Sequence, residues 1–220
     1  MRILALLCIP KLPRIPGIAR QVSRLSKRSD LYEGCGPSMT PAMAIDGWIR
    51  GVFHRLSLLD PNLGAAAYGL YQDQSGCWVG GLGLVANKHS HRDGPVTFPG
   101  NGSRISLRAL MPGEWPDPLA NCAGYTYPAG LPITIQFGFG RSPMVNRAVI
   151  RREGQVLPSC TVYGENYKND NPRARSWGRS VLNGFGGVAL MPRNVLEPGG
   201  YSVRIETNEG QYGWAFWVTQ

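Results

Sequence analysis

Long apolar runs are missing from this chain of 220 residues. No stretch approaches the roughly 18 apolar residues that a helical membrane span requires. The longest near the start, Ile3 to Pro10, runs directly into Lys11, Pro13 and Arg14. Arg2 and that short run make a poor secretory signal, and no convincing cleavage site follows them. Leu6 and Leu7 also lack the small residues expected ahead of a lipidated cysteine at Cys8. The five cysteines contain no CxxC spacing, which argues against a zinc module. No serine sits in a Gly-x-Ser-x-Gly elbow, and the glycine-rich stretch Gly184–Gly187 lacks the Lys-Ser/Thr of a phosphate loop. Histidine is scarce: there are 3, and none precedes His54.

What is present describes a globular protein. Hydrophobic residues make up 43% and charged residues 17%, so the chain is neither disordered nor fibrous. The formal charge of +9 is unevenly placed. Residues 1–30 hold seven basic side chains and one acid, Asp30, leaving a net +3 for the other 190 residues. A basic protein suggests nucleic acid or an anionic membrane as partner. Here the globular part is nearly neutral and the basic tail has no interleaved aromatics, so no nucleic-acid partner is expected. With 29 glycines and 18 prolines, the composition favours many short strands and turns.

A helix is predicted from Thr40, a good N-cap, with Pro41 in the first helical position. Ile45, Trp48, Ile49, Val52 and Phe53 form its apolar stripe, and His54 and Arg55 follow directly. Leu56 to Leu59, stopped by Asp60–Pro61, reads as a short turn or 3₁₀ segment. Ala65–Tyr71 and Cys77–Leu84 read as a hairpin around a five-residue loop. The polar stretch 87–95, with His89 and His91, reads as a solvated linker. From residue 96 the pattern turns to strands: Ile133, Ile135, Phe137 and Phe139 alternate with polar residues, as do Tyr201, Val203 and Ile205. Tyr212, Trp214, Phe216 and Val218 share a core face of the last strand, with Trp217 on its other face. About seven short strands over residues 96–220 fit a β-sandwich. The cysteines leave two readings open: pairs Cys35–Cys77 and Cys122–Cys160 with Cys8 odd, or five buried thiols in a reducing compartment.

The segment Ala44-Ile-Asp-Gly-Trp-Ile-Arg-Gly-Val-Phe-His-Arg-Leu-Ser-Leu-Leu-Asp-Pro-Asn-Leu63, followed by Ala67-Tyr-Gly69 and Gly76-Cys-Trp-Val79, resembles the CAP superfamily. These are the cysteine-rich secretory and pathogenesis-related proteins and their bacterial SCP-like relatives. The likeness covers residues 31–85. Phe98-Pro-Gly-Asn-Gly-Ser103, Leu131-Pro-Ile-Thr-Ile-Gln-Phe137 and Leu196-Glu-Pro-Gly-Gly-Tyr-Ser-Val-Arg-Ile205 resemble bacterial Ig-like modules of surface proteins.

Together these resemblances imply an α+β class: a basic tail at 1–30, a partial CAP-like αβα sandwich at 31–86, a linker at 87–95, and an all-β Ig-like sandwich at 96–220. They imply an extracellular or cell-surface protein that binds an apolar ligand, a cell-wall glycan or a surface protein. In the family's cavity His54 stands where one histidine belongs. Glu33 lies near the position of a cavity glutamate, and Trp78 on the aromatic strand is a further candidate. The rival readings are a hydrolase using His54 and Glu33, or a purely structural surface protein. One histidine with one glutamate is half of an acid–base constellation, and a catalytic zinc usually wants three protein ligands. Hence no reaction, metal or cofactor is assigned. Trp115, in Pro112-Gly-Glu-Trp-Pro116, is the candidate exposed aromatic, and Gly164-Glu-Asn166 reads as a coincidental turn.

The family's opening helix, with its first histidine, has no counterpart in residues 1–30, whose basic character is abrupt. This predicts a misassigned start. The upstream DNA, read in all three frames, is expected to encode a histidine-bearing helix and a signal peptide; finding neither makes the short form genuine.

Overall fold

A computed structural model describes residues 29–35, 40–72, 74, 76–86 and 94–220. The basic tail up to residue 28 with Cys8, and the linker histidines His89 and His91, lie outside the described residues.

The described chain opens with strand β1 (Ser29–Cys35) and helix α1 (Pro41–Arg50). A short helix α2 (Phe53–Leu58) and the hairpin of β2 (Leu63–Gln72) and β3 (Cys77–Ala86) follow. Helix α1 begins as the sequence predicts, with Thr40 Oγ1 accepting from the Met43 N–H at 3.2 Å. The predicted stripe runs on through Phe53, but the helix stops at Arg50. Gly51 is extended, and a Cβ there would stand 2.5 Å from Glu114 Oε1. The break divides the stripe between two cores. Ala44 and Trp48 pack with Leu82 against the hairpin, whereas Val52, Phe53 and Leu56 enter a core with Leu110, Leu182 and Met191.

The remaining strands are β4 (Val96–Phe98), β5 (Arg104–Ile105), β6 (Ala109–Leu110), β7 (Ala129–Gly130), β8 (Ile133–Gln136) and β9 (Val145–Arg152). They continue with β10 (Gln155–Val156), β11 (Ser159–Tyr163), β12 (Gly187–Pro192), β13 (Gly199–Thr207) and β14 (Gly210–Val218). Helix α3 (Pro172–Phe185) lies between β11 and β12. A five-stranded sheet in the order β10-β9-β13-β14-β5 faces a four-stranded sheet in the order β11-β12-β8-β4. Their shared core holds Ile133, Ile135, Val188 and Leu190 from one sheet and Ile150, Val203, Ile205 and Phe216 from the other.

The four-stranded sheet is covered on both sides, and every residue of β8 and β12 is buried. Strand alternation sends Val188 and Leu190 into the core between the sheets and Ala189 and Met191 into the second core. There they meet α2 and α3. The helix α3 has an N-cap, Asn171, whose side chain accepts from the Arg173 and Ala174 N–H groups, and Pro172 in its first turn. It ends at Gly186 in the left-handed region at φ 58°, where a Cβ would stand 2.8 Å from the Gly138 carbonyl.

The expected α+β class with an αβα sandwich does not form. Strand accounts for 44% and helix for 19% of the structure, arranged as several antiparallel sheets. The reason is visible at the sheet β1-β3-β2. Trp48, of helix α1, and Trp78 and Tyr68 share its covered face. On the opposite face Leu31, Tyr71 and Val85 are exposed, so among the described residues no second helical layer closes the sandwich. Nor is 96–220 all-β, because α3 lies within it. Strand β8 ends at Gln136, and Phe139, expected on its core face, is exposed.

Helix α3 tests packing against propensity. Its buried Gly178 faces the ring of Tyr167, which is itself buried and donates to the Asp117 carbonyl at 2.8 Å. Gly178→Ala gains about 1 kcal/mol of helix propensity. Its methyl overpacks the Tyr167 ring, at about 1–3 kcal/mol. Urea unfolding is expected to show a net loss; a stabilised variant contradicts this packing.

Candidate functional site

The site is built where α1 breaks. A helix start leaves its first N–H groups without partners, and α2 has no side-chain cap of its own. The carboxylate of Glu114, in the loop before Pro116, supplies the acceptor. Its Oε2 accepts from the Val52 N–H at 2.7 Å. Its Oε1 accepts from the Phe53 N–H at 2.7 Å, from the His54 N–H at 3.1 Å, and lies 3.0 Å from His54 Nδ1. The Glu114 side chain is 5% exposed and that of His54 25%.

Burial alone would pull His54 below its ordinary value. The hydrogen bond and charge of Glu114, with the charge of Asp30, outweigh it and hold the imidazole above that value. The sequence expectation put His54 just beyond a helix; instead it sits in the first turn of α2, where Glu114 holds it. Nδ1 is therefore fixed as the inner nitrogen, facing a buried carboxylate. Nε2 has no hydrogen bond among the described residues.

A second acid approaches from β1. Asp30 is 8% exposed, and its Oδ2 lies 2.6 Å from Ser57 Oγ, which also lies 2.7 Å from the His54 carbonyl. Burial pushes Asp30 up to about 6, against the opposing effects of His54 and Ser57. Proton counting agrees. The single hydroxyl proton of Ser57 satisfies one of its two oxygen neighbours when Asp30 is ionised, and both are satisfied when Asp30 is protonated.

Arg55 completes the cluster. It is wholly buried, its Nε donates to the Ile49 carbonyl at 2.6 Å, and a second guanidinium N–H donates to the Pro132 carbonyl. The group lies over the Phe98 ring, 4.4 Å from its centroid. Burial pushes Arg55 down to about 9, opposed by the charge of Glu114, so it stays cationic at neutral pH. Gln136 donates to the carbonyls of Leu56 at 3.2 Å and Leu59 at 2.8 Å, fixing the other end of α2 to the sheet.

The structure does not bring Glu33 to His54. Three residues separate it from Asp30 on one strand, so the two side chains leave opposite faces, and Glu33 is exposed. Trp78 packs instead against Tyr32, with ring centroids 5.6 Å apart, and belongs to the small core under the hairpin. Disulfides join Cys35 to Cys77 and Cys122 to Cys160. Trp115 is half-buried, whereas its neighbour Glu114, which sequence reasoning passed over, is the acid that reaches the histidine. The available signal was a lone acid between Pro112 and Pro116. Gly164–Asn166 does lie in a turn.

No protein-family model matches the chain, and no curated protein matches it. The described residues contain no group of three or more His, Cys, Asp or Glu side chains that could hold a metal ion. With Nδ1 held by Glu114, the cluster can present a proton donor at Nε2, its charge set by two acids and a buried cation.

Substitutions at two positions check this balance. Glu114→Ala leaves three N–H groups without their acceptor and removes the anion beside Arg55; urea unfolding is expected to show a loss of about 3–5 kcal/mol. Glu114→Gln keeps an acceptor oxygen and is expected to lose less. Burial pushes Asp30 from its ordinary 3.8 up to about 6, so folding takes up protons between these values. Stability due to Asp30 is therefore highest below about pH 4 and falls as pH rises toward about 6. Asp30→Asn is expected to gain about 1–3 kcal/mol over the wild type at pH 8 and almost nothing at pH 4, read from unfolding at both.

Proposed function

We propose that this is a secreted or surface-associated binding protein that receives an acceptor group of its ligand, a carboxylate or a glycan oxygen, at Nε2 of His54. The observation that carries this reading is the division of labour on one ring. Glu114 holds Nδ1 from the buried side, while the side chain remains one-quarter exposed. A protonated imidazole held this way donates outward as well as inward. The raised pKa of His54 favours that state.

The resemblance of residues 31–85 to the CAP superfamily, which does not extend to its αβα sandwich, supports an extracellular ligand-binding role. Two disulfides are compatible with an oxidising compartment. Binding is preferred to turnover because the hydroxyl of Ser57, one turn on in α2, is engaged by Asp30 and the His54 carbonyl. General acid–base catalysis also requires a reacting group within hydrogen-bond reach of the ring.

The test is the imidazole signal of His54 in a ¹⁵N-labelled sample at pH 6, titrated separately with decanoate and with a chitin tetrasaccharide. At least one probe is expected to shift the Nε2 resonance saturably, and the shift should weaken as pH rises through the His54 pKa. His54→Gln, which retains an amide donor, is expected to lose at least tenfold in affinity while keeping its fold. If neither probe moves the resonance of the folded protein, or if binding is independent of pH and of His54, the reading is wrong.

A further inference from the structure

On the far side of the sandwich from α2 and α3, the outer face of the five-stranded sheet has no covering layer among the described residues. Register fixes what lies on it. Gly200 pairs with Trp217, which pairs with Arg104 across the parallel β14–β5 ladder. The next row is Arg151, Ser202 and Ala215, and the one beyond is Val149, Arg204 and Gly213. Arg147, Glu206 and Gln211 close the face.

Trp217 lies flat on this surface. A Cβ at Gly200 would stand 3.4 Å from its Nε1 and 3.7 Å from its Cδ1, ordinary contact distances, so the indole reaches over the glycine. The residue is 40% exposed, and the Arg104 guanidinium stands 5.7 Å from the ring centroid. Beside it, Ser202, Gly213 and Ala215 form a strip of small residues. The same strand alternation that buries Trp214 and Phe216 in the core leaves Trp217 outside. Core packing therefore does not account for this tryptophan.

The charge is one-sided. Arg104, Arg147, Arg151 and Arg204 share the face with a single acid, Glu206. Arg204 is already paired with Glu206 at 2.9 Å and donates to Gln211 at 3.0 Å. Arg104, Arg147 and Arg151 have no ion pair among the described residues.

We infer that this face binds an acidic polysaccharide, a chain of pyranose rings bearing carboxylate groups. The exposed indole offers its face to the C–H surface of one sugar ring. The strip of small residues lets neighbouring rings lie close to the sheet. Arg151 sits two strands and one row from Trp217, about 12 Å away at ordinary sheet spacings, a span that a short oligosaccharide covers. Planar guanidinium groups suit carboxylates through paired N–H donors. Single-stranded nucleic acid also combines stacking with charge, but it uses several aromatic platforms for successive bases. Here one indole stands beside a bare strip.

Calorimetric titration of the whole chain tests this with three probes of similar length: oligogalacturonate, a neutral malto-oligosaccharide and an oligothymidylate. Oligogalacturonate is expected to bind at least tenfold more tightly than either of the others, and more weakly as salt is raised. Trp217→Ala is expected to weaken it at least tenfold, and Arg104→Ala and Arg151→Ala severalfold each. All three residues lie outside the core, so unfolding curves should match the wild type. His54→Gln should leave this binding unchanged, which separates it from the site at α2. The inference is overturned by absence of oligogalacturonate binding at millimolar concentration, or by binding that survives Trp217→Ala. Tighter binding of the oligothymidylate that is lost with Trp217 would assign the face to nucleic acid instead.

Discussion

Glu114 stands at the point on which the arrangement around α2 depends. One carboxylate, almost fully withdrawn from water, accepts from three consecutive backbone N–H groups and holds an imidazole nitrogen. Removing such a group from solvent is unfavourable unless its hydrogen-bonding capacity is filled, and here it is filled by a helix start. The consequence is mechanical as well as electrostatic. The chain leaves α1 at Gly51 because the carboxylate occupies the space beside it, and it re-enters a helix in a new direction because the carboxylate caps the new start. Val52, Phe53 and Leu56 are thereby delivered to the core beneath β12, with Phe53 edge-on to Tyr167 at 5.5 Å between centroids. Two elements that sequence places 60 residues apart are fixed to one another at this carboxylate.

That dependence also explains which parts of the fold could be read in advance. The Thr40 cap, the hairpin of β2 and β3, and the buried face of β14 rest on local chemistry: a side chain next to its own helix, or a period of two along one strand. Each was legible. The division of the apolar stripe at Gly51 was not, because its cause lies in a distant loop and the stripe is continuous by spacing alone. Helix α3 was also missed. Asn171 and Pro172 marked its start, but its buried face is Ala174, Gly178 and Leu182, and two of these three carry too little apolar surface to register as a stripe. The sequence singled out His54 and Glu33, whereas the acid in contact with His54 is Glu114. Glu33 and Asp30 share one strand, and a difference of three residues sends their side chains to opposite faces. The αβα expectation failed because it came from resemblance rather than from elements the chain supplies on both faces of its first sheet.

The buried charges around His54 form a set rather than independent pairs. Arg55 is fully withdrawn from water, and such a cation depends on the partners and the anion that remain near it. Two backbone carbonyls, of Ile49 and Pro132, accept from Nε and Nη1, the guanidinium lies over the Phe98 ring, and Glu114 supplies the opposing charge, while Nη2 is buried with no hydrogen-bond partner among the described residues. A lysine has a compact ammonium in place of this planar fork and cannot reproduce those directions together. Because Glu114 also faces His54, the charge that keeps Arg55 ionised is the one that favours the imidazolium. Asp30 joins the set through Ser57 and through its charge on His54, so neutralising it also weakens the support of the imidazolium.

The overall charge of the protein has to be read by location. Part of it lies in the segment before residue 29, part is locked in the interior as Arg55, and part is spread over the outer face of the five-stranded sheet. These three populations obey different physics. The interior cation is set by hydrogen bonding and is nearly blind to salt. The sheet-face guanidiniums stand in water, where their mutual repulsion is screened over about 10 Å at ordinary ionic strength and an arriving anion can relieve it. Placing several unpaired arginines on one flat surface has no structural return for the fold, whose stability comes from the two cores on either side of the four-stranded sheet. An exposed tryptophan laid over a glycine in the same place has no structural return either. Both occur together on a sandwich surface that no layer covers among the described residues, where an incoming anionic ligand would meet them at once.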